Sequence, residues 1–149
     1  MQGDSRYPLR HWTYTYRESD ESAVARLWWE VFPDSPPHNV PESDIQRKLA
    51  IQREQFIVGE LSGRIIATAM ATDDDHRGWV YYLAVLAEYR RFGYGQAMMV
   101  EAERRLPDAG CTKVNLMVHD SNRDVVGFYE GLGYRVEPVL TMGKLLKSA

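Results

Sequence analysis

Apolar and polar positions alternate from Trp12 to Tyr16, with Tyr14 between Thr13 and Thr15, and this period of two predicts a first strand. The spacing then becomes helical through Ala23, Leu27 and Val31, behind Ser19 or Asp20 as cap. Pro33, Pro36, Pro37 and Pro41 forbid regular helix, so Pro33–Pro41 reads as a loop. A second helix is predicted over Glu42–Gln52, with Ile45, Leu49 and Gln52 facing inward. Phe56–Glu60 and Arg64–Ala71 flank Leu61-Ser62-Gly63 as a hairpin, and the polar run Asp73–Gly78 precedes a strand over Trp79–Val85. Ala97, Met98, Glu101, Ala102, Arg105 and Leu106 share one helix face, closed by Pro107 and Gly110. A strand over Lys113–Val118 and a helix over Asn122–Leu132, stopped by Gly131 and Gly133, come next. Tyr134–Glu137 and Val139–Leu146 read as final strands broken at Pro138. Residues 1–10 read as a loose leader. The order β-α-α-β-β-β-α-β-α-β-β, without repeats or linkers, predicts a single α/β domain over 1–149 built on a mixed sheet.

Composition narrows the classes. With 149 residues, 44% of them hydrophobic, the chain can bury one core. A net charge of −3 and no basic stripe argue against a nucleic-acid partner. The single cysteine, Cys111, permits no internal disulfide and suits a reducing compartment. No apolar run approaches a membrane span, and the polar start lacks a signal-peptide core, so the expectation is a cytoplasmic protein without a membrane partner. His76, His119, Asp120 and Cys111 have no metal-ligand spacing, so no metal is expected.

Tyr81–Ala97 is the stretch richest in chemistry. An apolar run ends at Leu86, and Arg90, Arg91, Phe92, Gly93, Tyr94, Gly95 and Gln96 lead into a helix. Two glycines one residue apart let backbone N–H groups converge ahead of a helix N-terminus, which favours a phosphate. Arg90 and Arg91 add donors matched to diphosphate oxygens. The competing reading is a plain tight turn. The dinucleotide fingerprint is not completed, because Met98 stands three residues after Gly95, and no Gly-Lys-Ser/Thr follows as in a Walker A loop.

Three linked segments resemble the GCN5-related N-acetyltransferases. Arg90–Gly95 is similar to that family's Q/R-x-x-G-x-G/A signature, behind the strand Tyr82–Val85. Val114–Val118 with Ser121-Asn122 resembles the next strand and loop, and Phe128–Tyr134 the F-Y-x-x-x-G-F/Y segment. The resemblance implies a GNAT-like α/β fold: a mixed, mostly antiparallel sheet of six to seven strands, splayed at its centre and flanked by about four helices. It implies acetyl-CoA as co-substrate, its pyrophosphate on Arg91–Gln96 and its pantetheine arm along Leu83, Ala84 and Val85. Asn122 is implied as a further cofactor contact. Tyr129, two helical turns later, is implied as a contact and as the general acid for the departing thiolate. A half-buried packing role is the alternative for Tyr129.

The chain departs from its relatives at the general base. Met117, Tyr81 and Tyr82 stand where many relatives place a glutamate, leaving Glu60, His119, Asp120 or no base at all. Ala87 replaces a usual proline. Asp73–Asp75 reads as a solvated hairpin tip, and Pro33–Pro41 with His38 as the specificity segment. Trp28-Trp29 pairs a core residue with one facing the cleft. The implied activity is direct acetyl transfer to a primary amine in a ternary complex, on a small amine or amino acid. Protein N-terminal or lysine amines are the alternative, and a non-catalytic CoA-binding sensor a third reading. A homodimer stays open.

Overall fold

Alternation over Trp12–Tyr16 produces a short edge strand, β1 (Thr13–Thr15), with Trp12 and Tyr16 buried at its two ends. The computed structural model describes residues 12–37, 40–106 and 111–147, and divides into compact units at Met1–Leu116 and Met117–Ala149. The expected leader, His38, Pro107 and Gly110 lie outside the described residues.

In the first unit, β1, β2 (Phe56–Leu61), β3 (Arg64–Asp73), β4 (Gly78–Val85) and β5 (Val114–Asn115) form one sheet in chain order. The first three pairings are antiparallel and β4–β5 is parallel, so the sheet is mixed and mostly antiparallel as expected. The β2–β3 hairpin closes with Leu61 opposite Arg64, and Ser62 (φ 50°) and Gly63 (φ 78°) make the two-residue left-handed turn that matches strand twist. Ile66–Ala71 of β3 are buried throughout, as expected of a strand covered on both faces.

The two faces receive different helices. Helix α1 (Glu21–Val31) lies over the face of Thr68, where its Trp28 Nε1 donates to Thr68 Oγ1 at 2.8 Å. Its buried stripe is Val24, Ala25, Leu27 and Trp28, turned slightly from the expected Ala23–Leu27–Val31 line. Helix α2 (Pro41–Ile51) packs beside α1 and starts with Pro41 in its first turn, where a missing N–H costs nothing. The opposite face holds Trp12 over Gly59, where an added Cβ would come within 2.3 Å of the indole, with helix α3 (Tyr94–Arg104) beyond it.

Three sequence expectations need correction. The strand over Lys113–Val118 shrinks to Val114–Asn115, paired only with Gly78 and Trp79, so the central strands part as the fold class implies. Five strands form among the described residues instead of six to seven, because Tyr134–Glu137 and Val139–Leu146 form no ladder. Pro138 lacks a donor, and Val139 N–H closes a tight turn onto Glu137 O (2.9 Å) that redirects the chain. In the second unit helix α4 runs Asp124–Gly131, so Asn122 precedes the helix instead of sharing a face with Tyr129.

Candidate active site

The centre of β4 is irregular. Thr68 pairs with Ala84 but Met70 with Tyr81, so β4 holds one extra residue opposite Ala69. Tyr82 takes φ 53° there, a conformation costly for a bulky side chain. Its surroundings compensate. Thr68 Oγ1 donates to Tyr82 O at 2.9 Å, and the Tyr82 ring stacks on Trp28 with centroids 3.8 Å apart. Phe32 meets the same ring edge-on at 5.8 Å, and the Tyr82 hydroxyl donates to Asp44 Oδ2 at 2.5 Å. Burial, then the bond to Asp44, hold the Tyr82 phenol well above its ordinary range. Trp28, Trp29, Phe32, Ser35, Pro41 and Tyr82 together line a small apolar recess. Beyond Trp79 no strand pairs with the β5-facing edge of β4 among the described residues, so the backbone of Val80–Val85 has no strand partner on that edge.

The strand then delivers the glycine loop. Leu86 is buried and its N–H bonds to Ile66 O (2.9 Å), so the loop starts from a fixed point. A turn over Ala87–Tyr89 follows, and Arg90 Nε reaches back to Val85 O at 3.1 Å. Arg91 (φ 68°) and Gly93 (φ 86°) then reverse the backbone, and Gly93, which has no side chain, stands as the cap ahead of the opening amides of α3. Those amides carry the positive end of the helix dipole. Arg90, Arg91, Phe92 and Gln96 are exposed around them, while Tyr94 turns inward onto Trp12 with ring centroids 5.0 Å apart. Leu83–Val85 and Arg90–Gln96 are therefore brought together as strand and loop of one surface.

Tyr129, Asn122, His119, Asp120 and Met117 lie in the second unit. Tyr129 sits in α4 between Phe128 (5.0 Å) and Tyr134 (5.9 Å), and burial raises its phenol pKa. Asn122 is exposed and its carbonyl accepts from Val125 N–H at 3.3 Å. His119 and Asp120 are exposed and pair with each other at 3.2 Å, and Met117 is exposed. Back in the first unit, Glu60 is ion-paired with Arg17 at 3.6 Å. Asp74 is held by the turn amides of His76 and Arg77, which keep its carboxyl below the usual range. Trp28 is buried, as expected of one member of the pair, and Trp29 is 54% exposed. Among the described residues no group of three His, Cys, Asp or Glu side chains is placed to hold a metal, and no helix is long and apolar enough to cross a membrane.

Sequence reasoning missed Asp44, Thr68 and Lys48. Lys48 is buried, donating to Ala71 O (2.5 Å) and Gln52 Oε1 (3.1 Å), and desolvation lowers its pKa to about 8. The signal was available: Pro41, Ile45, Lys48 and Gln52 recur at helical spacing, which places Lys48 on the inner face. Asp44 and Thr68 gave no local sign, since their partners lie 38 and 14 or 40 positions away.

Comparison with known proteins agrees with this architecture. The sequence profile of the Acetyltransferase (GNAT) family matches residues 21–134. An acetyltransferase of Yersinia enterocolitica is 40% identical over 131 residues, spanning 88% of this chain and 92% of that protein. An acetyltransferase of Pectobacterium atrosepticum is 40% identical over the same length, with the same coverage of this chain. Among solved structures, the aminoglycoside N-acetyltransferase AAC(6')-Iy bound to CoA shares the fold with TM-score 0.74 at 14% identity, over 91% of this chain and 94% of that one. The aminoglycoside 6'-N-acetyltransferase AAC(6')-IG of Acinetobacter haemolyticus does so with TM-score 0.68 at 18% identity, over 91% and 99%. With the family profile spanning the glycine loop and α4, and relatives matched over nearly their full length, the chain belongs to the GNAT family and is an N-acetyltransferase.

Proposed function

We propose that the enzyme takes acetyl-CoA as donor and passes its acetyl group to a primary amine by direct transfer in a ternary complex, the whole chain working as one acetyltransferase domain. The observation carrying this reading is the left-handed turn at Arg91 and Gly93, which opens α3 shortly after a strand whose far edge has no strand partner from Val80 to Val85 among the described residues. In this reading, amides of Arg91–Gln96 hold the pyrophosphate with Arg90 and Arg91 as added cations. The backbone of Leu83, Ala84 and Val85 pairs with the amide-bearing pantetheine arm as an extra strand would. Asn122 contacts the same arm, and the Tyr129 phenol donates a proton to the leaving thiolate; its raised pKa keeps that proton in place at neutral pH.

The acceptor in this reading is a small amine or amino acid. Structural neighbours that are aminoglycoside N-acetyltransferases support it. A panel of small amines, amino acids and unblocked peptides tests the reading through thiol release from acetyl-CoA. Turnover confined to small amines supports it; turnover confined to peptides replaces the acceptor. Acetyl-CoA binding with no turnover of any acceptor contradicts the proposed transfer.

A further inference from the structure

A primary amine reaches neutral solution as an ammonium ion and must lose a proton before its nitrogen attacks a thioester. No carboxylate on β4 can take that proton, because the strand carries Tyr81 and Tyr82 at its centre. The structure supplies a carboxylate from another element. Asp44, in the first turn of α2, receives the Tyr82 hydroxyl proton at 2.5 Å, a length typical of a charge-assisted O–H···O⁻ bond. Asp44 is partly screened, its side chain 19% exposed.

The pair is held rigidly. Trp28 stacks on the Tyr82 ring at 3.8 Å with 11° between planes, and Thr68 fixes the Tyr82 carbonyl. The phenol oxygen therefore has one direction for its own proton, leaving its lone pairs for an incoming N–H. Tyr82 also borders the apolar recess. The charged and titratable groups around the pair are Arg47, whose Nη1 lies 3.6 Å from Asp44 Oδ1, Tyr81, with ring centroid 6.2 Å from that of Tyr82, and Lys48, whose Nζ stands 5.5 Å over the Tyr81 ring.

We propose that Tyr82 and Asp44 form the proton exit of the transfer, Tyr82 touching the acceptor nitrogen and Asp44 taking the proton through it. This rests on the acetyl-CoA reading above. The acceptor ammonium gives one proton to Tyr82 Oη while Tyr82 Oη–H passes its own to Asp44 Oδ2. The freed nitrogen lone pair forms the C–N bond at the thioester carbonyl carbon, the C–S bond breaks, and the thiolate takes a proton from Tyr129. Asp44 releases this first proton to solvent, and the second proton of the acylated nitrogen follows by the same route through Tyr82 to Asp44 and solvent. Tyr129 is reprotonated from solvent, so that one net proton is released per acetyl group and the groups return to their starting state. Tyr82 is the catalytic member of the pair and Asp44 its positioning and accepting partner.

The test compares wild type with Asp44→Asn and Tyr82→Phe, using acetyl-CoA with tyramine, spermidine and an unblocked alanine tripeptide across pH. Asparagine still accepts the phenol hydrogen bond, so the Asp44→Asn fold is retained and thermal melting checks it. The expected result is a loss in kcat/KM of about 10²-fold or more at neutral pH for both variants, shrinking as the amine becomes neutral unaided. A loss of equal size at every pH, or none, overturns the proposal. Independently of any acceptor, ¹³C-tyrosine NMR should show the Tyr82 phenol titrating at lower pH in Asp44→Asn, since a carboxylate that raises its pKa is gone. An unchanged titration overturns the coupling. Calorimetry with acetyl-CoA on the same samples separates the two readings: wild type that fails to bind contradicts the donor assignment, whereas normal binding with a pH-independent loss contradicts only the proton exit.

Discussion

Trp28 and Tyr82 lie face to face, 3.8 Å between ring centroids and 11° between planes, although one belongs to the first helix and the other to a bulge in the fourth strand. Thr68 joins them a second time by accepting from the indole N–H and donating to the tyrosine carbonyl. Asp44 ties the tyrosine hydroxyl to the second helix. The two helices and the bulge therefore form one strut, which holds Tyr82 in a left-handed conformation that costs about 1–3 kcal/mol alone.

Thr68→Val keeps the shape of this fully buried side chain but deprives the indole N–H and the Tyr82 carbonyl of their partner. Each buried group left unsatisfied costs about 1–3 kcal/mol. Urea unfolding should show a lower midpoint with an unchanged slope. A midpoint equal to wild type would show that the strut contributes nothing to stability.

Lys48 gives a pH signature. Its folded pKa of about 8 lies below the ordinary lysine value of 10.5, so between those values the unfolded chain binds more protons and stability rises with pH. The penalty, on the order of 3 kcal/mol, is fully present below pH 8 and fades toward 10.5. Lys48→Met should flatten this rise in unfolding free energy measured from pH 7.5 to 9.5. An unaltered slope would assign the pH dependence to other groups.

Glu101 is buried in α3, where burial raises its carboxyl pKa but hydrogen bonds from Arg104 and Arg105 outweigh it and leave the value lowered. Arg105 in turn reaches Thr15 Oγ1 at 2.7 Å and Glu54 O at 3.1 Å. Stability from this pair is present above the ordinary carboxylate range and lost as pH falls through the lowered folded value. Glu101→Gln should cost about 1–3 kcal/mol at neutral pH and much less in acid. An equal cost at both pH values would mean that packing, not charge, is at stake.

Tyr129→Phe should reduce kcat about 10²–10⁴-fold, the range for loss of a positioned acid, while acetyl-CoA affinity persists. Steady-state rates paired with calorimetry decide between this role and simple packing beside Phe128 and Tyr134.

Local physics made much of this legible in the sequence. The Ser62-Gly63 turn, the prolines before α2 and the glycine that opens α3 each act on their own backbone, and each appears where the residues place it. The family motifs gave the activity. What stayed hidden depends on partners far along the chain. The β4 bulge arises from a register shift against β3, and Tyr82 becomes special only because Trp28, Thr68 and Asp44 converge on it. The last strands failed for a related reason: Val139–Leu146 reads as strand in its residue types, but a ladder also needs a partner edge, and none pairs with it among the described residues.

If the turn at Arg91–Gln96 holds the diphosphate of acetyl-CoA, as proposed, isothermal titration of acetyl-CoA into wild type and Gly95→Glu will separate the two proteins. One acetyl-CoA should bind per wild-type chain, with no measurable binding to Gly95→Glu, whose carboxylate opposes the phosphates while thermal melting confirms an intact fold. Equal affinity in the two proteins, or a wild type that binds no acetyl-CoA, would contradict that assignment.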